Sequence, residues 1–189
     1  ESIEFASRLG LDRYTVHAGY RRILSPPQKG DMFVACDNKI IDASKAMQYM
    51  YRSLDELEPT AKAAGIRIGI ENLFPLPNQK NYSLLCTSEE IFAFLDATDG
   101  KSDIGILLDL GHLEISANYY NFDKEVFLDC LLNQYAHRIL EVHLSGNDGQ
   151  EDSHMMLQEN EWQLQAARKI ASALIGIPVT IECRGLTPK

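Results

Sequence analysis

Five short runs of β-branched and aliphatic residues recur along the chain: YTVH at 14–17, IRIGIE at 66–71, IGILLDL at 104–110, ILEVHL at 139–144 and IPVTIE at 177–182. Such runs read as buried strands of a parallel sheet, whose two covered faces remove the usual alternation of apolar and polar residues. After a larger first interval they repeat about every 35 to 40 residues, which leaves room for one helical crossover each. Ile40, Ala43, Met47, Met50, Leu54, Leu57 and Ala61 share one helical face, and Gly65 stands where a C-cap belongs. TSEEIFAFL opens with a capping box formed by Thr87 and Glu90, while Asp123 and Asn160 are expected to cap the next two helices. The predicted order is βαβαβαβαβ. No linker, repeat or low-complexity tract interrupts it, so residues 1–189 are read as a single domain.

Two architectures accommodate that order, a doubly wound open sheet and part of a (β/α)8 barrel. A complete barrel takes about 250 residues, so the length of 189 favours the open sheet. The polar residues argue for the barrel. Almost every strand ends in a metal-capable side chain: His17, Glu71, Asp109 followed by His112, His143, and Glu182. Neighbouring strand ends in an open sheet lie in a row about 4.8 Å apart, so the outermost pair could not share one ion. Closing the sheet brings them round a common centre, at the edge where barrels carry their sites. The expectation is therefore an incomplete TIM barrel with about five βα units. ESIEFASRLGLDRY reads as the tail of an amphipathic helix, and a piece of a longer barrel is expected.

The formal charge of −9 opposes non-specific binding to nucleic acid or anionic membranes. Only RYTVHAGYRR, with Arg13, Arg21 and Arg22, offers a place for a local basic patch. There is no apolar run of the roughly 18 to 20 residues that spans a bilayer and no basic-then-apolar leader, which favours the cytoplasm. Cys36, Cys86, Cys130 and Cys183 are widely separated, form no CxxC pair and read as small buried thiols.

Each candidate site residue has a plain alternative. An acid closing a buried strand, as Glu71 does in GIRIGIEN, must be solvated, paired or bound to a cation. Asp109 in LLDLGH could cap the next helix, with Gly111 letting the chain turn so that His112 faces the same pocket. His17 alone is more simply a satisfied strand-end histidine. Glu182 in VTIECRG repeats the Glu71 pattern, with Arg184 near enough in sequence to neutralise it. His137 precedes its strand and has no assigned role. His143 shares a strand face with the deeper Glu141. After it, SGNDG is turn chemistry, and Asp152 and His154 form an Asp-x-His pair whose side chains point the same way in an extended segment.

Taken in order, HAGY, IENLFP, LDLGH, HLSGNDGQEDSH and IECRG make the chain resemble the xylose isomerase-like TIM barrels, the superfamily of sugar isomerases and epimerases that also contains endonuclease IV. The resemblance implies a divalent-metal-dependent sugar or sugar-phosphate isomerase or epimerase. By motif, Glu71, Asp109, His143 and Glu182 hold one ion that binds sugar oxygens and stabilises an enediolate. Glu71 and Glu182 then move a proton on opposite faces of the substrate carbon, and His112 steadies a substrate oxygen. Manganese, zinc, cobalt and magnesium all suit such mixed ligands. The alternative within the superfamily is an endonuclease IV-like zinc phosphodiesterase acting on abasic DNA, in which His17, His112, Asp152 and His154 serve as additional ligands for further ions. A barrel that binds a sugar or a partner without turnover is the reading outside enzymology. In register, the chain would run from before the third strand of the barrel to just after the seventh. Tyr119, Tyr120, Phe122 and Trp162 are expected to fill the outer core rather than line the mouth.

Overall fold

The computed structural model describes residues 1–25, 34–36, 39–76 and 82–184, so that Gly185 of the IECRG motif lies outside the described residues. Helix α1 (Ser2–Arg8) leads into β1 (Arg13–His17), followed by the two-residue strands β2 (Leu24–Ser25) and β3 (Val34–Ala35). Then come α2 (Ala43–Ala64), β4 (Arg67–Glu71), α3 (Ser88–Ala97), β5 (Ile104–Asp109), α4 (Leu110–Tyr120) and α5 (Lys124–Tyr135). A 3-10 turn (Ala136–Arg138) enters β6 (Ile139–Leu144), and α6 (Trp162–Ala173) precedes β7 (Val179–Ile181). The five predicted strands are all present. The antiparallel β2–β3 pair is an addition, too short and irregular for periodicity to reveal.

The sheet order is β1-β4-β5-β6-β7, with every neighbour parallel. Strand order therefore follows chain order without the reversal that defines a doubly wound sheet. Register supplies a second argument for the barrel. His17 pairs with Glu71 directly, whereas Glu71 pairs with Leu107, two residues short of Asp109. Asp109 pairs with His143 directly, whereas His143 pairs with Thr180, two residues short of Glu182. Walking along the strand ends thus climbs none, two, none and two residues, an average of about one per strand, which is the stagger of a barrel with eight strands and a shear of eight. Length alone pointed to the open sheet; the structure is a five-stranded parallel portion of an incomplete (β/α)8 barrel.

Residues of alternate parity face the helices. Ile68, Ile70, Ile104, Ile106, Leu108 and Val142 pack in one core with Leu54, Phe94, Leu95, Leu113, Leu128 and Ile170, each almost fully buried. At roughly 25 cal/mol per Å2, burial on this scale is the main force holding helices to strands. Close approach inside the sheet needs Gly105, where a Cβ would sit 2.3 Å from the Arg138 carbonyl oxygen and 2.7 Å from Leu140 Cγ.

The helix limits follow their caps. Gly65 ends α2 with φ +67°, and the Thr87–Glu90 capping box is present in both directions. Asp123 caps α5 by accepting from the Glu125 and Val126 amides. Two details differ from the sequence reading. Asp42 caps α2 at its own side chain, so Ile40 lies outside the helix and is exposed, and Leu57 faces solvent beside the buried Ala46, Leu54 and Ala61. Glu161 rather than Asn160 stands at the cap of α6; its carboxylate accepts from the Gln158 amide while Asn160 uses its carbonyl.

The arginines of RYTVHAGYRR do not gather into one patch. Arg13 enters β1 at one end, paired with Asp12 and donating to the Leu140 carbonyl oxygen at 2.8 Å. Arg21 and Arg22 follow the other end, about five residues of extended strand away, where Arg21 donates to the Ile41 carbonyl oxygen and Arg22 stacks 4.4 Å over Tyr82. The cysteines are free as expected, although Cys36 is exposed and only Cys86 is fully buried. Tyr120, Phe122 and Trp162 pack against the core, whereas Tyr119 is exposed.

Candidate metal centre

At the C-terminal edge of the strands the side chains on the barrel-facing parity converge. Ligand atoms of Glu71, Asp109 and His143 all lie within 4.8 Å of one another. His143 Nδ1 is 3.8 Å from Glu71 Oε1, 4.0 Å from Asp109 Oδ2 and 3.4 Å from Glu182 Oε1. Ligands about 2.1 Å from a shared ion lie roughly 3 to 3.5 Å apart, so the cluster is nearly the right size for one divalent cation.

Asn72 holds the centre together. Its side chain mimics a strand backbone, donating from Nδ2 to the Asp109 carbonyl oxygen at 3.0 Å and accepting the Asp109 amide at 2.8 Å. The Asn72 carbonyl oxygen lies 2.9 Å from His112 Nδ1. Asn72 therefore ties the end of β4 to the end of β5 and aims the first turn of α4. Sequence reasoning passed over it. The available signal was an amide directly after a buried strand acid, since a buried amide must have its partners.

Asp109 divides its two oxygens between the helix and the cluster. Its Oδ1 caps α4 by accepting the His112 amide at 2.6 Å. Its Oδ2 is buried and has no hydrogen-bond partner, and the same holds for His143 Nδ1. Two buried, orphaned atoms facing one largely buried cluster are what a cation would satisfy. His112 reaches the cluster from within α4 rather than from a turn. Gly111 is small because a Cβ there would lie 2.6 Å from Ser145 Oγ, not because the backbone needs a left-handed residue.

The electrostatics are those of packed acids awaiting positive charge. Burial pushes Glu71 up to about 7, with His112 pulling the other way and Asp109 adding to the rise. Burial likewise raises Asp109. For His112, burial disfavours the charged ring but is outweighed by Asp109, Asp152 and Glu71, which carry it up to about 10. The His143 ring beside Glu182 holds that carboxyl below its usual range.

A second group adjoins the first. Asp152 Oδ2 lies 2.9 Å from His154 Nε2 and 3.5 Å from His112 Nε2, while its Oδ1 is buried without a partner. His154 takes a left-handed φ of +49° and is held twice by the β7 exit: its Nδ1 is 2.7 Å from the Glu182 carbonyl oxygen, and its carbonyl accepts the Arg184 amide at 2.8 Å. His17 stands at the rim, half exposed, with Nε2 3.5 Å from Glu71 Oε2. The structure thus brings together His17, Glu71, Asp109, His112, His143, Asp152, His154 and Glu182, and leaves His137 at the opposite end of the sheet.

A parallel barrel wall with acids and histidines at its C-terminal mouth is the site class of metal-binding TIM barrels. Residues 1–185 match the family model described as xylose isomerase-like TIM barrel, and the chain belongs to that family. An uncharacterised protein of Methanocaldococcus jannaschii, MJ1311, is 28% identical over 159 residues, which cover 84% of this chain and 46% of that protein. Among solved structures, a D-tagatose 3-epimerase-like protein superposes with a TM-score of 0.71 at 24% identity, covering 98% of this chain and 60% of the other. The IolI protein with a bound zinc atom superposes with a TM-score of 0.65 at 15% identity over 96% of this chain and 57% of its own. The chain therefore spans about half the length of the curated relative and about three fifths of these structures.

Proposed function

We propose that the protein, read as one domain over residues 1–189, is a divalent-metal-dependent sugar or sugar-phosphate isomerase or epimerase. The observation that carries this reading is the meeting of Glu71, Asp109 and His143 with two buried, unpartnered ligand atoms, and with Glu182 against the same histidine. Glu71, Asp109, His143 and Glu182 would hold the ion. Bound there, a divalent ion supplies Lewis-acid polarisation of substrate oxygens. Mixed carboxylate and imidazole donors admit manganese, zinc, cobalt or magnesium. The zinc atom named in the IolI structure lends support to a metal in this fold.

The chain's own groups divide the proton work. Without a cation the two carboxyls differ, Glu71 raised to about 7 by burial and Glu182 lowered beside His143; a bound cation would favour the ionised form of both, leaving each able to take a proton from a substrate carbon. His112, cationic because of the acids around it, donates to a substrate oxygen, with Phe74 packed 4.6 Å from its ring and limiting its movement. A sugar also suits a chain of net charge −9 better than a polyanion does. Among the described residues no helix is long and apolar enough to cross a membrane.

The test is elemental analysis of the purified protein, followed by a panel of ketoses and ketose phosphates assayed with added Mn2+, Co2+, Zn2+ and Mg2+. Metal-dependent interconversion supports the reading; an inability to take up any divalent ion removes it. One observation favours the endonuclease IV-like alternative. Asp152 links His112 to His154 beside the first cluster, a set of donors larger than one ion needs. More than one bound ion together with metal-dependent cleavage of abasic-site DNA would transfer the assignment to that class.

A further inference from the structure

Glu141 has no place in the proton transfers above, and its position inside the barrel needs a reason. It precedes His143 by two residues on β6, so both side chains enter the barrel from the same face. Its register partner on β5 is the apolar Leu107, and the flanking Leu140 and Val142 belong to the buried core. A carboxylate in such surroundings is costly unless specific groups hold it. Two do. Thr180, the register partner of His143 on β7, donates to Glu141 Oε1 at 2.7 Å. The other is the far nitrogen of His143, with Nε2 3.5 Å from Glu141 Oε1.

The two ring nitrogens of His143 thus face opposite chemistry. Nδ1 looks at Glu182, Glu71 and Asp109, and Nε2 looks at Glu141. A neutral imidazole carries its proton on one nitrogen only, and the hydrogen bond made by one nitrogen decides which lone pair is free at the other. With Nε2–H directed to a carboxylate, the Nδ1 side of the ring faces Glu182, Glu71 and Asp109, where a cation would displace any proton that those acids hold there. We propose that Glu141 is a positioning residue that anchors His143 through its Nε2–H, presenting Nδ1 to the metal centre. The proposal rests on the metal reading of that centre. It adds Glu141, with Thr180 as its anchor, to the residues on which cation affinity depends.

The test compares wild type with Glu141→Gln, which keeps a neutral oxygen acceptor, and Glu141→Leu, which removes it. Side-chain 1H–15N correlation spectra of the Zn2+-loaded proteins read how well the His143 Nε2 proton is protected from exchange, and Co2+ titration followed by absorbance reads affinity. Wild type is expected to show a protected Nε2–H. Glu141→Leu is expected to show a rapidly exchanging one and a loss of Co2+ affinity of about 10- to 100-fold, with Glu141→Gln recovering most of it. A metal-loaded wild type without a protected Nε2–H, or unchanged Co2+ affinity in Glu141→Leu, overturns the proposal. If Glu141→Leu fails to fold, the wild-type spectrum and the Gln variant still decide the question. Wild type that takes up neither Zn2+ nor Co2+ overturns instead the metal reading and with it this inference.

Discussion

Replacing Asp109 by Asn separates a structural from a functional carboxylate. The Oδ1 cap on the His112 amide survives the change, because an Asn oxygen accepts as an Asp oxygen does, so the cap's worth of about 1 kcal/mol is retained. What disappears is a charge on a side chain only 1% exposed whose Oδ2 has no hydrogen-bond partner. A buried unsatisfied polar atom costs roughly 1–3 kcal/mol, and the Asn Nδ2 that replaces Oδ2 is a donor beside the Glu71 carboxyl, which can accept from it. Without metal, Asp109→Asn should therefore be more stable than wild type by about 2 kcal/mol. For a chain of this size that is a rise in Tm of about 4–8 °C. With metal the order reverses. Wild type in a divalent ion at 100 times its Kd gains about 2.7 kcal/mol. If the lost ligand weakens binding about 100-fold, the variant at that same concentration gains only about 0.4 kcal/mol. The assay is differential scanning fluorimetry of both proteins in chelator and in Mn2+ or Zn2+, with Asp109→Ala as the variant that also loses the cap. A metal-free Asp109→Asn that melts below wild type, or that gains as much from metal, would show that Asp109 is a helix cap and nothing more.

Other expectations follow from neighbouring contacts. Glu182→Gln should abolish turnover on any identified substrate while leaving the melting temperature within a few degrees, since Glu182 stands at the strand edge against His143; full activity refutes its role as base. Asp152→Ala combined with His154→Ala removes the second cluster, and a fall in bound ions per chain by elemental analysis marks a multinuclear site, whereas unchanged stoichiometry restricts the metal to the first cluster. Asn72→Ala strips partners from the Asp109 amide and carbonyl and should cost about 2–5 kcal/mol in urea unfolding; a cost below 1 kcal/mol contradicts its role as the clasp between β4 and β5. In chelator, stability should fall as pH rises. Glu71 holds its proton more tightly folded than unfolded, so its contribution is complete below pH 4.5 and fades through about 7, and that of His112 is complete below 6.5 and fades through about 10. The lowered carboxyl of Glu182 works the other way only at or below pH 4.5. Urea midpoints that rise between pH 5 and 9 would contradict this account.

Much of the site was legible because strand ends are local. Glu71, Asp109, His143 and Glu182 each interrupt or close an apolar run, and a buried strand ending in a charge stands out in any sequence. Asn72 was not legible, since its function lies in a pairing with Asp109, 37 residues away, that no local pattern encodes. Glu141 was visible as a same-face neighbour of His143, but its meaning depends on Thr180 from another strand. Glu161 rather than Asn160 stands at the start of α6, its carboxylate accepting the Gln158 amide from the loop before it, a contact propensities do not contain.

The choice of barrel over open sheet divides the same way. Period, capping signals and Gly65 specify strands and helices locally, because backbone sterics and orphaned helix-end groups act over a few residues. Whether the strands then lie in one row or wrap round a centre is not a local property. It is set by how tilted strands pair, and appears only as the alternating register that carries His17 to Glu71, Asp109, His143 and Glu182. Which side chains stand at the strand ends is already written in the local order of residues. Folding adds that they converge, that Asp109 caps a helix with one oxygen while aiming the other into the cluster, and that the two nitrogens of His143 face different partners. Convergence requires pairing across strands more than 30 residues apart, and only the folded chain holds those distances fixed.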